Sequence, residues 1–222
     1  MLRHPLDLLA RQSLAVQLQR HRTPAAAEQA IGRSFGNLSV SAIWLVRHGE
    51  AAAGFSEDVD PALSELGQTQ AAAAARALAE RVPVGAALLT SPKRRAIQTG
   101  EPFALRRGVA LEVDPRFLEL PSPGELEARK PWLQEVLQGT WGALPEPVQQ
   151  WRRDIVAAIQ ALQTPSVIFT HFLVINAVAA QMSGDDAVVQ CLPANGSIHH
   201  LEVTGADWRW ASRGEMLKSV VN

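Results

Sequence analysis

The sequence predicts a three-layer α/β fold, a mostly parallel sheet with helices on both faces. Short apolar runs bounded by turn residues alternate with longer helical patterns, the rhythm of strand–helix–strand crossovers. Residues with chemical potential stand just past the C-terminal ends of those runs, where open α/β sheets hold their ligands. The chain is long enough for one ordinary domain with a substantial core, at 222 residues, 47% hydrophobic and 19% charged.

Residues 1–41 are expected to be a basic N-terminal extension, mobile or loosely docked. They carry Arg3, Arg11, Arg20, Arg22 and Arg33 against Asp7 and Glu28. Leu2, Leu6, Leu9, Leu14 and Leu18 are loosely spaced for an amphipathic helix, so a docking helix is the alternative. The compact apolar segment of a secretory signal is missing.

Residues 42–214 form the expected catalytic domain. Ala42 to Val46 reads as a buried strand ending at Arg47-His48-Gly49-Glu50. A loop with Gly54, Ser56, Asp58, Asp60 and Pro61 follows. The alanine-rich stretch 64–82 predicts a helix that Pro83 stops. Ala86 to Thr90 predicts a second strand, and Ser91-Pro92 reads as N-cap and first position of the next helix. Ala110 to Val113 predicts a third strand. Residues 121–163 read as a helical insertion near the active-site end, with helices at about 124–138 and 147–163 around a Gly139-Thr140-Trp141-Gly142 loop. Ser166 to Thr170 predicts a strand ending at His171, followed by a helix from Phe172 to Met182. Ser197–Val203 and Trp208–Ser212 predict a hairpin through Gly205-Ala206-Asp207.

Composition narrows the function. No apolar stretch approaches the roughly 20 residues of a membrane helix, so no membrane partner is expected. The single cysteine, Cys191, excludes an internal disulfide and a cysteine-based zinc cluster, and it suits a reducing cytoplasm. The mildly acidic body lacks the dense basic face of a nucleic-acid binder. No metal or other cofactor is expected.

Four segments converge on one sheet edge in a parallel topology: Arg47-His48-Gly49, Ser91-Pro92-Lys93-Arg94-Arg95-Ala96-Ile97-Gln98-Thr99, Leu118-Glu119 and Thr170-His171. In this order they resemble the histidine phosphatase superfamily, with its phosphoglycerate-mutase-like fold, over roughly residues 42–212. Asp60-Pro61-Ala62-Leu63-Ser64-Glu65-Leu66-Gly67 is similar to the family's segment before its first helix. The resemblance implies His48 as a nucleophile that forms a phosphohistidine, attacking as neutral imidazole. Arg47, Arg95 and His171 then clamp the phosphoryl oxygens, a task for which the planar guanidinium is suited. Gly49 lets the backbone approach closely or adopt a positive φ. Glu119 protonates the leaving oxygen and then activates water. Glu112, Asp114, Glu125 and Glu127 are alternative acids nearby.

Other residues have plainer readings. Lys93 and Arg94 read as solvated helix residues, and Glu50 as a supporting or surface acid. His199 and His200 point to opposite faces of a strand and read as structural. Asn195 and Ser197 suit either a turn or the edge of the site.

Departures from the family pattern shape the substrate expectation. Gly54 stands where mutases carry a polar residue, and Leu120-Pro121-Ser122-Pro123-Gly124 replaces a Gly-x-x-Glu-Gly pattern. Phe172 stands where glycine is usual. A glycolytic mutase is therefore not expected. The expectation is a metal-independent phosphatase of a small phosphorylated metabolite, with Trp132, Trp141 and Arg129 shaping a lid, or both tryptophans packing in the core. Protein phosphohistidine is the alternative substrate, and a non-catalytic phosphate-binding scaffold is the alternative class.

Overall fold

The computed structural model describes residues 40–54 and 57–218. The expectation for the N-terminal extension therefore lies outside the described residues, except at Val40 and Ser41, as does that for Ser56. The described elements are β1 (Ser41–Arg47), α1 (Glu65–Arg81), β2 (Ala87–Thr90), α2 (Arg94–Arg107) and β3 (Glu112–Val113). They continue with α3 (Leu126–Gln138), α4 (Glu146–Gln160), β4 (Ser166–Thr170), α5 (Phe172–Ser183), β5 (Ile198–Thr204) and β6 (Asp207–Ser212).

The sheet runs β3-β2-β4-β1-β5-β6. The first four strands are mutually parallel, while β5 and β6 add an antiparallel flank. Alternation along the strands divides the core in two. Trp44, Val46, Leu88, Val167 and Phe169 face α1 and α2, where they meet Ala74, Ala75, Leu78 and Phe103. Ile43, Leu45, Leu89 and Ile168 face the other layer, where Ile155 and Ile159 of α4 and Leu173 and Ile175 of α5 cover them. Each such aliphatic side chain contributes about 1.5–3 kcal/mol by leaving water. The expected three layers follow.

Local chemistry explains the helix ends. Ser64 caps α1, its hydroxyl accepting from Gly67 N at 3.0 Å. The expected Ser91-Pro92 start of the next helix is corrected: α2 begins at Arg94. Ser91 N still donates to Phe169 O at 2.9 Å, so the sheet ladder holds this residue extended. Asp60 takes over the capping from a distant loop, its carboxylate accepting from Arg94 N at 3.0 Å. The third strand keeps only two residues, and the hairpin turn shortens to Gly205-Ala206, with Gly205 at φ 59°.

Residues 121–163 form the crossover from β3 to β4. Their helix α4 lies directly on the sheet through Ile155, Ala158 and Ile159, so it is a layer of the fold. Of the two readings for the tryptophans, core packing is the one observed for Trp141. Trp141 is 1% exposed in that core and stacks against Trp151 with 6.1 Å between ring centroids. Trp132 packs against the same cluster, and buried Arg129 donates to the Pro123 carbonyl at 3.0 Å. Apolar burial outcompetes exposure for these large rings.

Candidate active site

The predicted residues meet where β1, β2 and β4 end. His48 N donates to Thr170 O at 2.9 Å and Arg47 N to Ser197 O at 3.1 Å, which fixes the turn after β1 to both neighbouring strands. Asn195 donates from Nδ2 to the His48 carbonyl at 3.1 Å. It thus supports the His48 backbone, one of the two roles left open for it.

Gly49 does not need a positive φ; it needs space. A Cβ there would lie 2.5 Å from the Gly67 carbonyl oxygen, and one on Gly67 would lie 2.1 Å from the Glu50 carbonyl oxygen. The two glycines let the His48 turn and the first turn of α1 touch backbone to backbone. Gly49 N donates to the Thr99 hydroxyl at 3.0 Å, and that hydroxyl donates to the Arg95 carbonyl at 2.6 Å.

His48 is 8% exposed and His171 fully buried, with ring centroids 5.2 Å apart. His48 Nδ1 lies 2.7 Å from the Gly49 carbonyl, to which it donates, leaving Nε2 as an acceptor. Arg95 reaches both rings, with Nε 3.1 Å from His48 Nε2 and Nη2 3.3 Å from His171 Nδ1. His171 Nε2 lies 2.7 Å from the Ser91 hydroxyl. Burial first, then Arg95 and Arg47, hold His48 well below its ordinary range. His171 is lowered by burial, then Arg95, His48, Lys93 and Arg47.

Arg47 donates from Nη1 to the Pro193 carbonyl at 2.6 Å, and its guanidinium lies 5.3 Å from the Phe172 ring centroid. Phe172 thus gives the arginine an aromatic support that the usual glycine would not. Burial, opposed by Glu119, brings Arg47 down to about 10.

Glu119 accepts from Leu120 N at 3.0 Å and Leu173 N at 3.4 Å. Its carboxyl is pushed up by burial, against those hydrogen bonds and the charges of Arg95 and Arg47. The rival acids lie differently. Asp114 is paired with Arg116 and held low by that hydrogen bond, while Glu112, Glu125 and Glu127 are exposed.

The remaining sequence readings divide. His199 bonds Ser197 Oγ at 2.8 Å and His200 stacks on Trp44 at 4.5 Å, both structural. Glu50 is exposed and accepts from Ser64 Oγ at 2.8 Å. Half-buried Cys191 has its thiol pushed up to about 11 by burial. Lys93 stands just before α2, its ammonium donating to the Val59 carbonyl at 3.2 Å in an exposed contact and its backbone N donating to Ser91 Oγ at 3.3 Å. The sequence reading assigns Thr99 no role and Ser91 only a helix cap, whereas the Thr99 hydroxyl links the His48 turn to Arg95 and the Ser91 hydroxyl bonds His171. Their fixed places beside Arg95 were the available signal. Among the described residues no group of three or more His, Cys, Asp and Glu side chains is arranged to hold a metal ion. A cavity of about 400 Å³ lies apart from the histidine pair, against Trp141, Arg152 and Gln181.

Comparison with known proteins agrees with this arrangement. Residues 43–215 match the sequence model of the histidine phosphatase superfamily (branch 1). A stretch of 57 residues is 47% identical to protein Rv0525 of Mycobacterium tuberculosis (strain ATCC 25618 / H37Rv), spanning 26% of this chain and about a quarter (27%) of that relative. The structure of the mycobacterial glucosyl-3-phosphoglycerate phosphatase Rv2419c in complex with VO3 superposes with a TM-score of 0.62 at 27% identity, covering 78% of this chain and 98% of that one. Bacillus stearothermophilus YhfR shares the fold, with a TM-score of 0.63 at 23% identity over 80% of this chain and 98% of its own.

Proposed function

Since this chain belongs to the histidine phosphatase superfamily, we propose that it hydrolyses small phosphate monoesters through a phosphohistidine on Nε2 of His48. The observation that carries this reading is the His48 hydrogen bond to the Gly49 carbonyl. It places the ring proton on Nδ1 and turns the Nε2 lone pair toward Arg95, next to His171. Low basicity keeps that imidazole neutral, as a nucleophile must be.

The phosphoryl group enters between His48, Arg95 and His171. Nε2 attacks phosphorus in line as the ester oxygen departs. Arg47 and Arg95 stabilise charge on the equatorial oxygens from a dry, fixed setting, where such contacts count most. These two cations carry the electrostatic role without a metal. Glu119, its carboxyl pushed up by burial, protonates the departing oxygen and afterwards takes a proton from the attacking water. The recessed position of His48 and His171 favours a slender phosphorylated metabolite over a phosphohistidine on a protein surface. The likeness to a glucosyl-3-phosphoglycerate phosphatase points the same way. Two neutral histidines with an acid of raised pKa beside them favour an enzyme over a phosphate-binding scaffold.

The test uses the full chain in EDTA with p-nitrophenyl phosphate, a panel of phosphorylated metabolites and a phosphohistidine protein. Turnover of a small ester is expected, with acid-labile phosphate trapped on His48 and lost in His48→Ala. Preference for the phosphoprotein overturns the substrate class. Dependence on a removable metal overturns the assignment of charge stabilisation to the arginines.

A further inference from the structure

Arg95 touches two imidazoles and can only donate. Its Nε–H reaches His48 Nε2 and its Nη2–H reaches His171 Nδ1, at 3.1 and 3.3 Å. A guanidinium has five N–H donors and no acceptor, so both ring nitrogens present lone pairs. The proton of neutral His171 then resides on Nε2, 2.7 Å from the Ser91 oxygen that accepts it. Ser91 is fully buried and fixed at the end of β2. Its oxygen also receives the Lys93 N–H at 3.3 Å. The hydrogen bond at one ring nitrogen decides which nitrogen carries the proton.

We infer that Ser91 is a positioning residue that holds His171 as the Nε2–H tautomer, so that its Nδ1 accepts the proton of a phosphate ester entering as the monoanion. The inference rests on the proposed phosphatase reading. The charged and titratable groups facing His171 come from three directions. Arg95 and Lys93 lie at the start of α2, and Arg47 and His48 at the end of β1. Glu119 lies beside the first turn of α5, where it accepts from Leu173 N. The cations and burial keep His171 neutral before substrate arrives. A dianion would set an oxygen lone pair against the Nδ1 lone pair, whereas a monoanion places an O–H there.

The proton balance closes. The phosphate O–H breaks as Nδ1–H forms, and the resulting imidazolium donates back to the same oxygen. The Nε2–P bond of His48 then forms while the P–O ester bond breaks, and Glu119 gives its proton to the departing oxygen. In the second half, Glu119 takes a proton from water, whose oxygen bonds phosphorus as the N–P bond breaks. The His171 proton leaves with inorganic phosphate.

The test compares kcat/KM against pH for two substrates. One is an alkyl phosphate, with a second ionisation near about 6, and the other an aryl phosphate with an electron-withdrawing ring, which ionises lower. Each profile is expected to fall about tenfold per pH unit above its own substrate's ionisation, so the alkaline limb moves with the substrate. A limb at one pH for both overturns the inference while leaving the phosphatase reading intact. Ser91→Ala is expected to lower kcat/KM roughly ten- to a hundred-fold, chiefly in kcat, as a tautomer loses its support. An unchanged kcat overturns the positioning role. The 15N spectrum of histidine-labelled wild-type protein, with His171 assigned through His171→Asn, reads the tautomer without turnover. Nε2–H with bare Nδ1 is expected, and the opposite tautomer overturns the inference even if Ser91→Ala does not fold. No turnover of any phosphate ester and no phosphate on His48 would instead remove the phosphatase reading itself.

Discussion

Acid should weaken this protein through His199, a residue outside the chemistry. The ring is fully buried on β5, with Nε2 2.8 Å from Ser197 Oγ and Nδ1 3.2 Å from Gly214 N. Because the Gly214 amide donates to it, Nδ1 is bare. Protonation would turn it against that N–H and bury a charge near Arg213. Burial first, then Arg213, bring His199 down from 6.5 to about 4. With the folded value depressed, its contribution to stability is complete above the unfolded value and is lost as pH falls through that interval. At roughly 1 kcal/mol or slightly more per unit, linkage gives losses of about 1 kcal/mol at pH 5.5 and about 2–3 kcal/mol at pH 4.5 relative to alkaline solution. His48 and His171 shift in the same direction and add their own losses. The His199 share is isolated by urea unfolding of wild type and His199→Gln at neutral pH, 5.5 and 4.5. Glutamine keeps a polar side chain and gains no proton. The gap between the two proteins should narrow by about 2–3 kcal/mol on acidification. Parallel curves would refute the buried, neutral His199.

Arg95→Lys should lower kcat by about 100- to 1,000-fold, measured with p-nitrophenyl phosphate, because an ammonium cannot reach His48 and His171 as a planar fork does. Glu119→Gln should slow alkyl phosphate hydrolysis by about 100-fold or more, and p-nitrophenyl phosphate less, since that leaving group needs little protonation; an equal loss on both would count against Glu119 as the acid. Gly67→Ala inverts the usual helix preference of about 1 kcal/mol for alanine. With a Cβ 2.1 Å from the Glu50 oxygen, it should cost about 1–3 kcal/mol in thermal or urea unfolding and lower activity through the displaced catalytic turn.

The parts of the fold legible in the sequence are those governed by local pattern. The alanine-rich run ending at Pro83 specifies α1 to within a residue, and the continuous apolar run before His171 specifies β4. The convergence of Arg47, His48, Arg95 and His171 followed from strand ends and topology. What escaped the reading depends on partners distant in the chain. Ser91-Pro92 has the form of a helix start, but the hydroxyl is taken by His171, 80 positions later, and the cap comes from Asp60. For Trp141, local pattern left lid and core both open; its burial depends on Trp151 and α4, which lie outside its own loop. Among five nearby acids, position alone left the choice open; Asp114 is tied to Arg116, Glu112, Glu125 and Glu127 are exposed, and burial pushes only the Glu119 carboxyl up.

The Thr99 hydroxyl has a mechanical consequence. By accepting from Gly49 N while donating to the Arg95 carbonyl, it rivets the turn that carries His48 to the first turns of the helix that carries Arg95. Thermal rocking of α2 therefore carries the His48 turn and the Arg95 backbone together. On the proposed reading, that link guards the separation of His48 Nε2 from the Arg95 side chain against shifts of the surrounding layers.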